Sequence, residues 1–158
     1  MGKNKIITDD RKILEQDNTL PHCIICDIDG TLALINGRGV YDNSKIYTDR
    51  VNTPVKSILY TYAHLDVEII YLSGRMESSR NVTEKWLYDN DLHFSLDQKL
   101  YMRKLNDYRK DDVVKQELYE EYIKDKYFVE FILDDRNSVV DMWRNLGLLC
   151  LQVYYGDF

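Results

Sequence analysis

The sequence predicts an α/β domain, a doubly wound parallel sheet with helices on both faces. Three observations carry that reading. The chain has 158 residues, 44 % hydrophobic and 30 % charged, which suits one globular domain burying roughly 70 % of its unfolded surface. After Pro21, short apolar runs alternate with amphipathic stretches of helical period, the pattern of βαβ units. Three of the apolar runs end in polar residues suited to chemistry: Asp27 and Asp29, Ser73 and Arg75, Asp134 and Asp135.

Residues 1–20 read as a polar, partly helical lead, which leaves 21–158 as the folded domain. Residues 23–28 form a buried strand of Cys and Ile. Asn36-Gly37-Arg38-Gly39 and Asp42-Asn43 then mark a long turn-rich loop. Thr53 as a cap and Pro54 in the first turn start a helix with Val55, Ile58, Leu59 and Tyr62 on one face. A second strand, 67–72, ends at Ser73-Gly74-Arg75. A helix over 79–88 buries Val82, Trp86 and Leu87. Residues 100–102 are a weak third strand, and a helix over 111–124 turns Val114, Leu118 and Tyr122 or Ile123 inward. The strand 127–133 runs into Asp134-Asp135. A helix over 138–146 carries Val139, Met142 and Trp143, Gly147 stops it, and 148–153 is the last strand.

Composition excludes several classes. A net charge of −6 argues against a broad polyanion-binding surface but leaves room for a local basic patch. No apolar run approaches a membrane span. The first 20 residues lack the apolar core of a signal peptide, and Ile6 stands where a myristoylation signal needs Ser or Thr. The expected location is the cytoplasm. Cys23 and Cys26 sit three apart in a strand and point to opposite faces, so they share neither a metal nor a disulfide. With Cys150 they read as core residues. His22, His64 and His93 show no ligand spacing. Most of the thirteen tyrosines read as core or amphipathic surface.

The chemistry follows from where the polar residues fall. In a parallel sheet the carboxyl ends of the strands share one edge, and ligands bind there. Two like charges about 4 Å apart cost roughly 4 kcal/mol in a moderately polarisable site. A divalent cation offsets that cost, and oxygen ligands from a few carboxylates suit Mg²⁺. Asp-x-Asp places both acids on one side of an extended segment, Gly30 lets the backbone turn away, and Thr31 caps the turn. One carboxylate can attack a phosphoryl group while a second gives and takes a proton at the leaving oxygen. Structural readings compete at each place. Asp134-Asp135 could cap the next helix, as could Asp111, and Lys115 could face solvent. Ser73, Arg38 and Arg75 could be ordinary turn residues.

Asp27-Ile28-Asp29-Gly30-Thr31, Ser73, Lys115 and Asp134-Asp135 resemble the four motifs of the haloacid-dehalogenase superfamily of phosphotransferases. Over residues 22–158 the likeness extends to the 3′-phosphatase domain of bacteriophage polynucleotide kinase/phosphatase. Asn36-Gly37-Arg38-Gly39 with Tyr41-Asp42 is similar, as are Ser73-Gly74-Arg75, Arg109-Lys110-Asp111-Asp112-Val113-Val114-Lys115 and Asp134-Asp135-Arg136. So are Val140-Asp141-Met142-Trp143-Arg144 and Gly156-Asp157-Phe158. The resemblance implies a Rossmann-like fold with a minimal cap and a Mg²⁺-dependent phosphatase acting on 3′-phosphorylated DNA or RNA ends. It makes Asp27 the nucleophile and Asp29 the general acid and base, whose backbone carbonyl also touches the metal. It gives Asp135, with Asp134 and Asp27, to the metal and Ser73 and Lys115 to the phosphoryl oxygens. Thr31, Arg38, Arg75, Arg103 and Asp111 would line the substrate. The chain has no Gly-x-x-x-x-Gly-Lys-Ser/Thr loop, so a kinase or ligase would act as a separate partner. Its segment between Arg75 and Trp86 is shorter than in the phage enzyme. A small-molecule nucleotide phosphatase and an inactive accessory subunit are the alternatives, and the complete acidic set argues against inactivity.

Overall fold

A computed structural model describes residues 11–39 and 41–157 of the chain. In chain order the elements are β1 (His22–Cys26), β2 (Ala33–Leu34), β3 (Arg50–Val51), α1 (Thr53–Ala63), β4 (Glu68–Met76), α2 (Arg80–Asp89), β5 (Lys99–Arg103), α3 (Asp111–Tyr122), β6 (Phe128–Arg136), α4 (Asn137–Leu146) and β7 (Cys150–Gly156). Five strands form one sheet in the order β5-β4-β1-β6-β7. Every pairing in it is parallel. Cys26 lies opposite Tyr71 on one side and Leu133 on the other, so Asp27, Ser73 and Asp134 emerge at the same edge. β2 and β3 form a separate antiparallel pair between β1 and α1, and the loop joining them holds a 3-10 helix, Asn43–Thr48.

The alternation of side chains along β1 divides the core in two. Ile24, Cys26 and Ile28 pack with Leu59 of α1, Tyr71 and Trp86 of α2. Cys23 and Ile25 pack on the other face with Leu118 of α3 and with Val139 and Trp143 of α4. Cys23 and Cys26 therefore occupy different cores, and all three cysteines are free and buried. Trp86 and Trp143 anchor the two layers. Truncating such a residue to alanine costs about 3–5 kcal/mol. Tyr119 meets Trp143 edge-on, 5.6 Å between ring centres.

Several boundaries differ from the sequence reading, each for a local reason. Thr53 is the first helical residue of α1 and Asn52 holds the cap position. Asn52 does not cap, because its side-chain amide donates to the Thr31 carbonyl at 2.8 Å. In α2 the fully buried residue is Thr83 rather than Val82, and its hydroxyl accepts from Arg75 Nη1 at 3.1 Å. β4 and β6 run on through Ser73-Gly74-Arg75 and Asp134-Asp135, with a register shift at each motif. α3 ends at Tyr122, and Ile123 is the residue that packs inward.

Residues 11–20 of the lead hold no helix. They lie along the domain instead. The Leu14 N–H donates to Gly147 O at 2.8 Å, where Gly147 ends α4 with φ 89°. The Gln16 amide brackets Val129, donating to its carbonyl at 3.0 Å and accepting its N–H at 2.9 Å. Residues 1–10 lie outside the described residues. No helix among those described is long and apolar enough to cross a membrane.

Candidate active site

Asp27 follows β1 directly, and its N–H is fixed on the Leu133 carbonyl at 2.9 Å. Asp134 and Asp135 come from β6, 107 and 108 positions further along the chain. The three are buried, and one carboxylate oxygen from each lies within 4.8 Å of the others. α3 supplies the cation. Its register turns Val114 and Leu118 into the core and carries Lys115 in with them, 1 % exposed. Lys115 Nζ donates to Asp27 Oδ1 at 2.7 Å and to Asp134 Oδ2 at 2.8 Å. Asp134 Oδ1 accepts the N–H groups of Asp135 and Arg136. Asp135 Oδ1 accepts from the Thr31 hydroxyl at 3.2 Å.

Three buried carboxylates thus face one buried ammonium. Burial pushes Asp27 well above the usual carboxylate range; Lys115 opposes this, and Asp134 and Asp135 add to it. Asp135 is raised for the same reasons, burial first and Asp134 next. Burial works to deprotonate Lys115, but Asp134, Asp27 and Asp111 together hold it well above its ordinary value, as an ammonium. The surplus of oxygen donors suits a hard divalent cation. Asp135 Oδ2 is clear of the hydrogen bonds just described and fits best as a ligand, while Asp27 has Oδ1 to share between Lys115 and a cation and Oδ2 left over. Gly30 is needed beside them. It adopts φ +86°, and a Cβ there would fall on Asp135 Oδ2.

The carboxylate of Asp29 lies outside this acidic group, because arginines hold it elsewhere. Arg75 grips it with two N–H groups, Nε to Oδ2 at 2.7 Å and Nη2 to Oδ1 at 2.6 Å. Arg38 Nη2 reaches Oδ1 at 3.3 Å. This leaves Asp29 only its backbone carbonyl for a cation, the role the resemblance implied. Behind it stands Asp49, which the sequence reading missed. Arg38 donates to both Asp49 oxygens at 2.7 and 2.6 Å, and Arg75 Nη2 lies 3.4 Å from Oδ2. The Asp49 hydrogen bond is the main cause that holds Arg38 above its ordinary value. The Asp49 carbonyl accepts from Trp86 Nε1 at 3.0 Å. Asp49 stands in a turn-rich stretch with no motif around it, so the sequence carried no signal for it.

The remaining expected residues divide. Ser73 is buried at the end of the parallel register, where its Oγ accepts the Arg75 N–H at 3.2 Å, which leaves its own proton to donate. Arg103 and Asp111, expected at the substrate, form a strut with each other and the next loop. The Arg103 guanidinium donates to the carbonyls of Gly74, Asp107 and Arg109 and to Asp111 Oδ1. Burial acts to raise the Asp111 carboxyl, but Lys115, Arg136 and Arg103 outweigh it and hold the group below its ordinary value. A Cβ on Gly74 would fall on Asp111 Oδ1. Thr31, Arg38 and Arg75 likewise turn to carboxylates of the protein. A fixed guanidinium finds its nearest anion, and here the fold supplies one.

A parallel sheet with three acids and a buried lysine at its carboxyl edge is the arrangement expected of a haloacid-dehalogenase-type phosphatase. Within that class the chain belongs to the family of polynucleotide kinase phosphatase domains, whose family model, the polynucleotide kinase PNKP phosphatase domain, matches residues 21–158. A protein of Autographa californica nuclear polyhedrosis virus, described as a bifunctional polynucleotide kinase/RNA ligase, is 34 % identical over 131 residues, 81 % of this chain and 18 % of that protein. A chain from a Pnkp1/Rnl/Hen1 RNA repair complex superposes with a TM-score of 0.90 at 47 % identity, covering 96 % of this chain and 48 % of that one. A second structure of a Pnkp1/Rnl/Hen1 complex gives 0.88 at 47 %, covering 99 % and 52 %. The chain thus spans about half the length of these structural relatives. A class C acid phosphatase from Bacillus anthracis shares the fold alone, with a TM-score of 0.50 at 17 % identity over 76 % of this chain and 54 % of that one.

Proposed function

We propose that this chain removes the terminal 3′-phosphate from DNA or RNA ends, using Asp27 as nucleophile and Mg²⁺ as cofactor. The observation that carries the reading is the placement of Asp27. One of its oxygens is fixed by Lys115, its N–H is fixed by Leu133, and its second oxygen is left to bond phosphorus. Asp27, Asp135 and Asp134, with the Asp29 carbonyl, would hold Mg²⁺, which when bound draws charge from the phosphoryl oxygens.

This chain's own groups do the rest. The free Asp27 oxygen bonds to phosphorus as the bond from phosphorus to the 3′-oxygen breaks. Lys115 has three N–H groups; two serve Asp27 and Asp134, and the third is free for a phosphoryl oxygen. The Ser73 hydroxyl supplies another donor. Asp29, its side chain 36 % exposed and aimed by Arg75, takes up a proton from solvent and passes it to the departing 3′-oxygen. It then takes a proton from water, whose oxygen bonds to phosphorus as the Asp27–phosphorus bond breaks. Atoms balance over the two steps, and Asp27 and Asp29 return to their starting states when that proton leaves for solvent.

The family of polynucleotide kinase phosphatase domains and the RNA repair complex of its structural relatives support a polynucleotide substrate. They also support a kinase or ligase as working partner, the ligation step needing the 3′-hydroxyl that this reaction makes. The test is phosphate release with Mg²⁺ from a 3′-phosphorylated oligonucleotide, a 5′-phosphorylated one, a 3′-mononucleotide and glycerol 2-phosphate. Release from the 3′-phosphorylated oligonucleotide above the others is expected. Release from small esters alone would leave a nucleotide phosphatase. Equal inactivity of wild type and Asp27→Asn would leave an accessory subunit.

A further inference from the structure

The loop of residues 104–110, between β5 and α3, holds an aromatic ring with no partner. Arg103 Nη1 donates to the carbonyls of Asp107 at 3.1 Å and Arg109 at 2.6 Å. Gathering both carbonyls on one nitrogen leaves the residue between them, Tyr108, at the tip. Asn106 makes the turn with φ 61°, a conformation Asn tolerates better than most residues. The Asp107 carboxylate then locks the loop, accepting the Arg109 N–H at 3.1 Å and its guanidinium at 3.0 and 2.7 Å. Arg109 continues to Glu117 at 2.5 and 2.7 Å.

For all this order, Tyr108 is 81 % exposed. Its ring and hydroxyl make no contact of hydrogen-bond or ring-stacking type among the described residues. A fixed loop that keeps a large ring in water forgoes the burial an aromatic residue normally gains. The segment 103–110 carries four cations and one acid in a chain of net charge −6. Lys104 and Lys110 are exposed on either side of the ring. Lys104 has only Glu121 at 3.8 Å, a weak surface pair. Lys110 has no carboxylate at ion-pair distance among the described residues. The loop also borders the chemistry. The guanidinium that pins it holds Asp111, Asp111 lies 3.7 Å from Lys115 Nζ, and Lys115 holds Asp27.

We propose that Tyr108 is a stacking platform for a nucleobase of a single-stranded 3′ end, with Lys104 and Lys110 on the adjoining phosphodiesters. The inference rests on the polynucleotide reading above and adds the strand's path and form. Inside a duplex both faces of a base are covered by its neighbours, whereas an unpaired strand opens them to a protein ring, and stacking of this kind tolerates any base.

The test compares wild type, Tyr108→Ala and Tyr108→Phe on two substrates, a single-stranded 3′-phosphorylated oligonucleotide and glycerol 2-phosphate, which has no ring. In Tyr108→Ala the preference for the oligonucleotide, as a ratio of kcat/KM values, falls about tenfold, chiefly through KM. Tyr108→Phe keeps it, because the ring and not the hydroxyl stacks. Placing the 3′-phosphate at a nick in a duplex, where both faces of its base are stacked, lowers the wild-type preference to that of Tyr108→Ala. An unchanged ratio in Tyr108→Ala overturns the platform while leaving the 3′-phosphatase reading intact. An equal loss on both substrates overturns it also, since it marks a structural role. A wild type that cleaves only glycerol 2-phosphate removes the polynucleotide reading and the platform together.

Discussion

Around Asp27 three buried carboxylates share one ammonium, whereas around Asp49 two guanidiniums meet two carboxylates, the second being Asp29. Both clusters sit at the carboxyl edge of the same sheet and use the same side-chain chemistry. Their charge balance differs. The Arg38–Arg75–Asp29–Asp49 cluster is neutral, and nearly every guanidinium N–H has an acceptor in the protein. The Asp27–Lys115–Asp134–Asp135 cluster carries surplus negative charge and leaves oxygens uncommitted. A balanced network holds geometry, and an unbalanced one waits for a ligand. The difference separates the acids proposed to meet phosphate and cation from the pairs that aim Asp29, the one member of the balanced cluster given a chemical role.

The largest expected effect breaks the unbalanced side. Asp27→Asn keeps the shape and removes the nucleophile, so kcat falls about ten-thousand-fold or more. Thermal stability without Mg²⁺ does not fall, since one buried negative charge has gone. A clear loss of stability would show that this cluster is structural too. Asp49→Asn attacks the balanced side. It leaves two buried guanidiniums short of charge and costs about 3–5 kcal/mol, read by urea unfolding, with activity lost as Asp29 loses its orientation. If it unfolds at the wild-type midpoint, the comparison fails.

Cation binding comes next in size. Mg²⁺ at about a hundred times its Kd adds about 2.7 kcal/mol, a rise in Tm of roughly 5–10 °C for a domain of this size. Asp135→Asn abolishes that rise, and EDTA reverses it in wild type. The smallest effect lies at the opposite end of β1, where His22 Nδ1 and Glu130 Oε1 are 2.6 Å apart and largely solvated. The hydrogen bond to Glu130 is the first cause that raises His22 above 6.5. The native state then binds the proton more tightly than the unfolded chain. The pair's contribution is therefore full below pH 6.5 and fades as pH rises through the raised native value. His22→Gln flattens the slope of Tm against pH above 6.5, by a small amount that sets the scale for an exposed pair.

How much of this was legible follows the range of the interactions. The strands around Asp27 and Asp134-Asp135 were readable, because burial on both faces leaves an unbroken apolar run and the acids interrupt it sharply. Lys115 was readable as a candidate only through its motif, since a lysine among Val114 and Leu118 has two opposite explanations. The fold decided between them by bringing Asp27 and Asp134 to its Nζ. Arg38, Arg75, Arg103 and Asp111 were found as residues, but their partners within the protein were not. A guanidinium's partner depends on what lies within a few ångströms, and for Arg75 that is Asp29, 46 positions away.

The sequence by itself determined the parallel α/β layering, the division of the cysteines between two cores and the set of acids at one edge. Each is written locally, in side-chain period and in residues that end a strand. Tertiary structure alone decided which charges are matched and which are left over. Asp49 entered, Thr83 joined Val82 inside, and Tyr108 was held out, because pairing and exposure are properties of neighbours that the chain brings together only when folded.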